Sequence, residues 1–160
     1  MKHRIVLRVV PQSDSPRAAV LRNLLALAEA NYALLMRVLP ALREQDRFEF
    51  GVTGPSGVHA EVRVTVRVTV RERGPFTTLI DLVETHATDG WVAPMQATVR
   101  LSHDARVAEV TEFRRQRRLQ ARYPYPNPEM LHPDEKLQVN RLLGEWLQHC
   151  LRWGEAPCPV

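Results

Sequence analysis

The chain has 160 residues, in which 22 Lys and Arg oppose 18 Asp and Glu, so the formal net charge is only +4. A chain of this length is expected to form one domain whose core needs no disulfide or metal for stability. Hydrophobic residues at 44% and charged residues at 25% exclude a disordered tail, a collagen-like repeat and a coiled coil. No apolar run is long enough to span a membrane, and Arg8 interrupts the stretch that a signal peptide would need. We therefore expect a cytoplasmic protein without a membrane partner.

The first long element is a helix that begins after residue 15. Residues 1–15 are interpreted as an N-terminal extension or a short strand. Ser15 can cap a helix, and Pro16 fits its first position because no hydrogen bond is lost there. Apolar residues then recur at three- and four-residue spacing as far as Leu39, and Pro40 ends or kinks the helix. This spacing predicts an amphipathic helix that covers an apolar partner.

The middle of the chain alternates like a sheet. Between residues 58 and 71 apolar residues, mostly valine, alternate with polar ones without interruption. Fourteen residues exceed the usual strand length, so we expect a bend, a bulge or two consecutive pairings rather than one straight strand. Further strands are predicted at residues 48–53, 76–86, 95–102 and 106–113, with short turns between them. Short connections favour a meandering antiparallel sheet of about five strands.

The last element is a second amphipathic helix. Pro133, Asp134 and Glu135 suit its first turn, where the helix dipole favours acidic residues, and Gly154 suits its end. The fold class is therefore α+β, with both helices on the valine face of the sheet. We expect a single domain over residues 1–160, with a core at 16–154 and a tail at 155–160.

The basic residues are concentrated in one region. They comprise 20 Arg and two Lys, and residues 100–123 hold seven Arg against three acidic residues, which accounts for the whole net charge. Guanidinium groups interleaved with the rings of Phe113, Tyr123 and Tyr125 suit the phosphates and bases of RNA. The alternative interpretation of these arginines is that they form a solvated sheet edge, which prevents aggregation between sheets. The candidate anion-binding residues are Arg114, Arg115, Arg117, Arg118 and Arg122.

Polar residues near the proline-rich segment 123–128 suggest a ligand site. This segment is stiff and extended, so it either forms a lip over a pocket or only routes the chain to the last helix. A buried Asn would need hydrogen-bond partners and would tie the preceding loop down. The candidate ligand-binding residues are His103, Asp104, Tyr123, Tyr125, Asn127, His132, Asp134 and Asn140.

Four of these residues could instead serve a metal-dependent phosphoester hydrolase. Histidine and carboxylate side chains bind metals and transfer protons, and the set is His103, Asp104, His132 and Asp134. The chain has no phosphate-binding glycine loop, no nucleophile elbow and no cysteine pair at zinc spacing. We therefore expect no cofactor, no metal and a non-enzymatic role. Cys150 and Cys158 are expected to stay reduced.

Many uncommon residues from Pro94 onward occur in a recognisable order. They include Met95-Gln96-Ala97-Thr98, Ser102-His103-Asp104, Tyr125-Pro126-Asn127, Asp134-Glu135-Lys136 and Trp146-Leu147. In this order they resemble the YqiB-like family of bacterial proteins of unknown function, over about residues 21–154. The resemblance implies no catalytic residue, and the Arg114 to Arg118 cluster is not part of its pattern. Genes of the family often lie beside those for an ADP-ribose pyrophosphatase and a cyclic-AMP phosphodiesterase, which implies a link to nucleotide metabolism.

The leading hypothesis is a binding or regulatory domain for a nucleotide-like or other small anionic ligand, or for a protein partner. RNA binding through the arginine cluster and phosphoester hydrolysis are the alternatives. A further alternative is a homodimer that forms through the valine face of residues 58–70.

Overall fold

The computed structural model describes residues 15–56, 60–86, 95–115 and 133–160. It confirms the α+β prediction, with five long strands in one antiparallel sheet and a two-residue sixth strand. The strand order is β5-β4-β3-β2-β1-β6. The elements are α1 (Pro16–Val38), β1 (Arg47–Ser56), β2 (Ala60–Arg73), β3 (Thr77–His86), β4 (Met95–Ser102), β5 (Val107–Arg115), α2 (Pro133–Trp153) and β6 (Cys158–Pro159).

Both helices pack on the face of the sheet that carries the valines, as the alternation predicts. Val66 and Val68 are fully buried in β2, and Leu35 of α1 and Leu147 of α2 are buried against the same core. Because side chains alternate along a strand, the opposite face of each strand carries the polar residues. The sheet therefore has a core face under the helices and an outer face.

Two β-bulges interrupt the sheet. The pairing of β2 with β3 shifts between Val70 and Glu72, so Arg71 is the extra residue, in agreement with the predicted irregularity of this long strand. The pairing of β4 with β5 shifts between Thr98 and Val99, where Thr111 is the extra residue. A bulge bends its strand and increases the local twist.

Residues 154–160 run along the outer edge of β1. The Glu155 N–H donates to the carbonyl of Gly51 at 2.8 Å, and Cys158 pairs with Glu49. Sequence reasoning treated residues 155–160 only as a tail and did not predict this pairing. Proline at the edge of a sheet leaves fewer N–H groups for another chain to pair with.

Helix α1 is buried in only one half. Leu35 and Val38 lie in the core, whereas none of residues 16–27 is buried. Among the described helices, α1 alone is long and apolar enough to cross a membrane, a criterion that core helices of soluble proteins also meet. The cytoplasmic location stays a prediction.

Candidate ligand-binding site

The outer face of the sheet carries a ladder of ion pairs. Three arginines of β2 lie on this face, four residues apart, and each contacts an acidic residue of a neighbouring segment. The contacts are Arg63 with Glu155 at 3.0 Å, Arg67 with Glu49 at 3.0 Å and Arg71 with Asp81 at 2.9 Å. Because each is paired with a carboxylate, these three arginines are poor candidates for binding an anion.

A pocket of about 170 Å³ opens on this face, across β2, β3, β4 and β5. It lies between the two bulges, at Arg71 of β2 and Thr111 of β5. Its lining residues are Arg71, Asp81, Leu82, Val83, Gln96, Ala97, Thr98, Glu112 and Arg114.

The pocket is built on a hydrogen-bonded carboxylate. Asp81 lies in the middle of β3, where its Oδ2 accepts from Arg71 Nε at 2.9 Å and its Oδ1 accepts from Thr98 Oγ1 at 2.8 Å. Thr98 is only 5% exposed although it points to the outer face. Since both oxygens of Asp81 have partners, its carboxylate orients Arg71 and Thr98 and carries little free charge toward a ligand.

Two charged residues at the edge of the pocket are free of such contacts. Glu112 and Arg114 are both exposed, and neither has an ion pair or hydrogen bond within the described residues. In the β4–β5 register Glu112 lies opposite Thr98 and Arg114 lies opposite Gln96. The pocket thus offers a cation and an anion that have no partner within the described part of the chain, together with the Gln96 amide on the neighbouring strand.

His103 lies elsewhere, in the turn between β4 and β5. Its Nδ1 is 3.1 Å from the hydroxyl of Tyr32 on α1, and its Nε2 is 2.8 Å from the hydroxyl of Thr78 on β3. Burial, then the charges of Arg43 and Arg73, lowers the pKa of His103, against a smaller opposing effect of Asp104. A neutral imidazole with both nitrogens engaged joins the helix to the sheet. Binding a metal there would require one of these bonds to break.

Asn140 is buried between the helices and β5. Its Oδ1 accepts from the Val110 N–H at 3.0 Å, and its Nδ2 donates to the Lys136 carbonyl at 2.8 Å. Its own carbonyl accepts from Asn31 Nδ2 at 2.9 Å. These bonds use the polar groups of the Asn140 side chain within the fold. The prediction that Asn140 needs partners holds. The loop that it was predicted to hold lies outside the described residues, and its ligand-binding role stays a prediction.

The other predicted site residues do not form one cluster within the described part of the chain. Asp104 and Asp134 are both exposed, in the β4–β5 turn and in the first turn of α2. Among residues 15–56, 60–86, 95–115 and 133–160 no three His, Cys, Asp or Glu side chains are placed to hold a metal ion. Outside the described residues lie Tyr123, Tyr125, Asn127, His132, Arg117, Arg118 and Arg122, while Arg115 ends β5.

Comparison with known proteins places the chain in a family. The profile of DUF1249, a protein of unknown function, matches residues 34–156. The chain belongs to this family. It is similar to the uncharacterized protein YqiB of Escherichia coli strains K12, O6:H1 and O157:H7, each 36% identical over 139 residues, which are 86% of this chain and 93% of the relative. No solved structure matches.

The family match confirms the resemblance read from the sequence and covers the whole pocket. It extends over Arg71 at one side of the pocket and Arg114 at the other. Sequence reasoning selected Arg114 but missed Asp81 and Thr98. One signal pointed to Asp81: aspartate is depleted in strands, yet it lies between Ile80 and Leu82 in the centre of β3.

Proposed function

We propose that the protein is a binding domain for a small polar ligand that carries an anionic group, and that the ligand occupies the outer-face pocket. The observation that supports this most directly is the exposed guanidinium of Arg114, which has no partner among the described residues and lies beside Gln96. A guanidinium can hold a carboxylate or a phosphate with two parallel hydrogen bonds.

The remaining groups of the pocket restrict the ligand further. Glu112 accepts hydrogen bonds only, so it suits a hydroxyl or amino group and repels a second anionic group. The ion pair between Arg71 of β2 and Asp81 of β3 fixes the pocket surface between these two strands. The ligand class is therefore a compact molecule with one anionic group and at least one donor, such as an amino acid or a nucleoside monophosphate.

A thermal-shift screen of the whole chain against nucleoside monophosphates, amino acids and sugar phosphates tests the proposal. A ligand at 100 times its Kd should add about 2.7 kcal/mol of stability. The Arg114→Ala variant should lose the shift. Arg100→Ala is the matched control, because Arg100 is also an exposed outer-face arginine without a described partner but lies outside the pocket.

The screen can also reject the proposal. If none of these compounds raises the melting temperature, or if Arg114→Ala and Arg100→Ala weaken binding equally, the pocket is not the binding site. An equal loss would indicate a diffuse attraction of anions to the face.

RNA binding is the second candidate, supported by Arg100 and Arg114, which are exposed on the same face and have no partner among the residues that the structure describes. It predicts an affinity for single-stranded RNA that falls steeply with salt. Changing Arg115, Arg117 and Arg118 to Glu, with Arg114 retained, separates the candidates. The small ligand should still bind that variant, whereas RNA should not.

A further inference from the structure

The exposed half of α1 carries four side chains in a row. Arg17, Leu21, Leu25 and Glu29 are spaced by four residues, and all four are exposed, with Leu21 at 66% and Leu25 at 54%. Residues four apart form a ridge along one side of a helix, here about 18 Å long. This ridge presents a cation, two leucines and an anion, in that order.

The charges at the two ends of the ridge have no partner inside the described protein. Neither Arg17 nor Glu29 makes an ion pair or hydrogen bond there, and they are too far apart along the helix to contact each other. Arg17 also lies in the first turn, which contains no acidic residue, although the helix dipole disfavours a positive charge at this end. A negative charge from another molecule would offset the unfavourable interaction of Arg17 with the helix dipole.

The order of the four residues makes the ridge complementary to itself. We propose that α1 pairs with α1 of a second copy, antiparallel and about a two-fold axis. In this arrangement Arg17 contacts Glu29 of the partner subunit, and Leu21 contacts Leu25 of the partner subunit. The two-fold axis repeats each contact, as an isologous interface requires, and the i±4 ridges pack in a common helix-helix geometry.

A second copy fits the ridge better than a lipid surface does. Insertion into apolar lipid would leave Glu29 without a partner, and a second copy provides Arg17. Four residues a side are few against the 20–30 of a standard interface, so we expect a weak dimer.

Sedimentation velocity of the whole chain over a concentration series from about 1 µM to about 1 mM tests the proposal. The native chain should show a monomer–dimer equilibrium. Arg17→Glu and Glu29→Arg, made singly, should each raise the dimer Kd about tenfold or more, because each replaces two attractive contacts by two repulsive ones. The double variant should restore the native Kd to within about threefold.

Suitable controls separate association from folding. Arg17→Glu suits the dipole of the first turn, so the monomer should keep its native circular dichroism. Arg141→Glu makes the same charge change on an exposed residue of α2 and should leave the Kd unchanged. Leu21→Gln should weaken the dimer whatever the charges contribute.

The double variant, in which Arg17 and Glu29 exchange charges, distinguishes a second copy from a lipid surface as the partner of the ridge. Recovery of the dimer in the double variant supports the antiparallel pairing, since only reciprocal contacts are restored by exchange. The proposal is overturned if the native chain stays monomeric over the whole concentration series, whether or not it binds phosphatidylcholine vesicles in a separate assay. It is equally overturned if the dimer survives both single reversals or is not recovered by the double variant.

Discussion

The Oδ1 of Asn140 accepts a hydrogen bond from the Val110 N–H at 3.0 Å, beside the bulge at Thr111 in β5. Through its carbonyl Asn140 also holds Asn31 of α1. Through its side chain and its backbone carbonyl, this one residue of α2 thus connects both helices to the strand that forms the Arg114 side of the pocket. Its position determines how the helices lie over the sheet, while the pocket opens on the opposite face.

Asn140→Ala should therefore destabilise the protein. The substitution leaves the buried Val110 N–H without its partner, which costs about 1–3 kcal/mol in addition to the lost packing. Urea unfolding followed by circular dichroism measures the loss. Gln138→Ala, at an exposed position of the same helix, should change the free energy of unfolding by less than about 0.5 kcal/mol. Equal effects of the two substitutions would show that Asn140 has no special role.

The close crossing of the two helices depends on Gly144. A Cβ at this position would lie 2.8 Å from Asn31 Oδ1, a buried oxygen without a hydrogen-bond partner. Gly144→Ala should cost about 1–3 kcal/mol, although alanine favours helix more than glycine does. In the Asn31→Ala background the same substitution should cost less, because the opposing oxygen is gone. A double-mutant cycle measures this coupling, and purely additive effects would contradict the proposed contact.

The periodicity of the sequence predicted the elements well, because local pattern determines them. The alternation of apolar and polar residues in β2 correctly predicted which face of the sheet the helices cover. The length of β2 predicted an irregularity, which the structure shows as the bulge at Arg71. The pocket could not be predicted in the same way, since it requires Asp81 and Thr98 to meet across two strands. Such a contact depends on strand register, which no local pattern specifies. The role of His103 was missed for the same reason, because Tyr32 is 71 residues away in sequence.

Protonation of His103 should make the protein less stable in mild acid. Burial and the charges of Arg43 and Arg73 lower its pKa in the folded state below the ordinary value of 6.5. The unfolded chain therefore binds the proton more readily, and stability falls as the pH drops below about 6.5. The free energy of unfolding should differ less between about pH 7.5 and about pH 5.5 in His103→Gln than in the native chain. Gln148→Ala, at an exposed position of α2, should keep the native difference.

The two cysteines should differ in reactivity. Burial, together with the charge of Glu84, raises the pKa of Cys150 to about 12, so its thiol stays protonated, whereas Cys158 is exposed. Iodoacetamide should modify only Cys158 in the native protein and both residues after unfolding in urea. Mass spectrometry of tryptic peptides identifies the adducts. Modification of Cys150 at the rate of Cys158 without denaturant would show that the α2 packing opens readily.

The tail over β1 should keep the sheet from associating edge to edge. Glu155 holds it in place, because its backbone bonds to Gly51 and its side chain bonds to Arg63 across the small glycine. Removal of residues 155–160 exposes the N–H and C=O groups of β1, which can then pair with β1 of another copy. Light scattering should show association of the truncated chain, and Arg17→Glu should not suppress it, since this contact does not involve α1. A truncated chain that scatters like the native one would mean that β1 is protected by its twist alone.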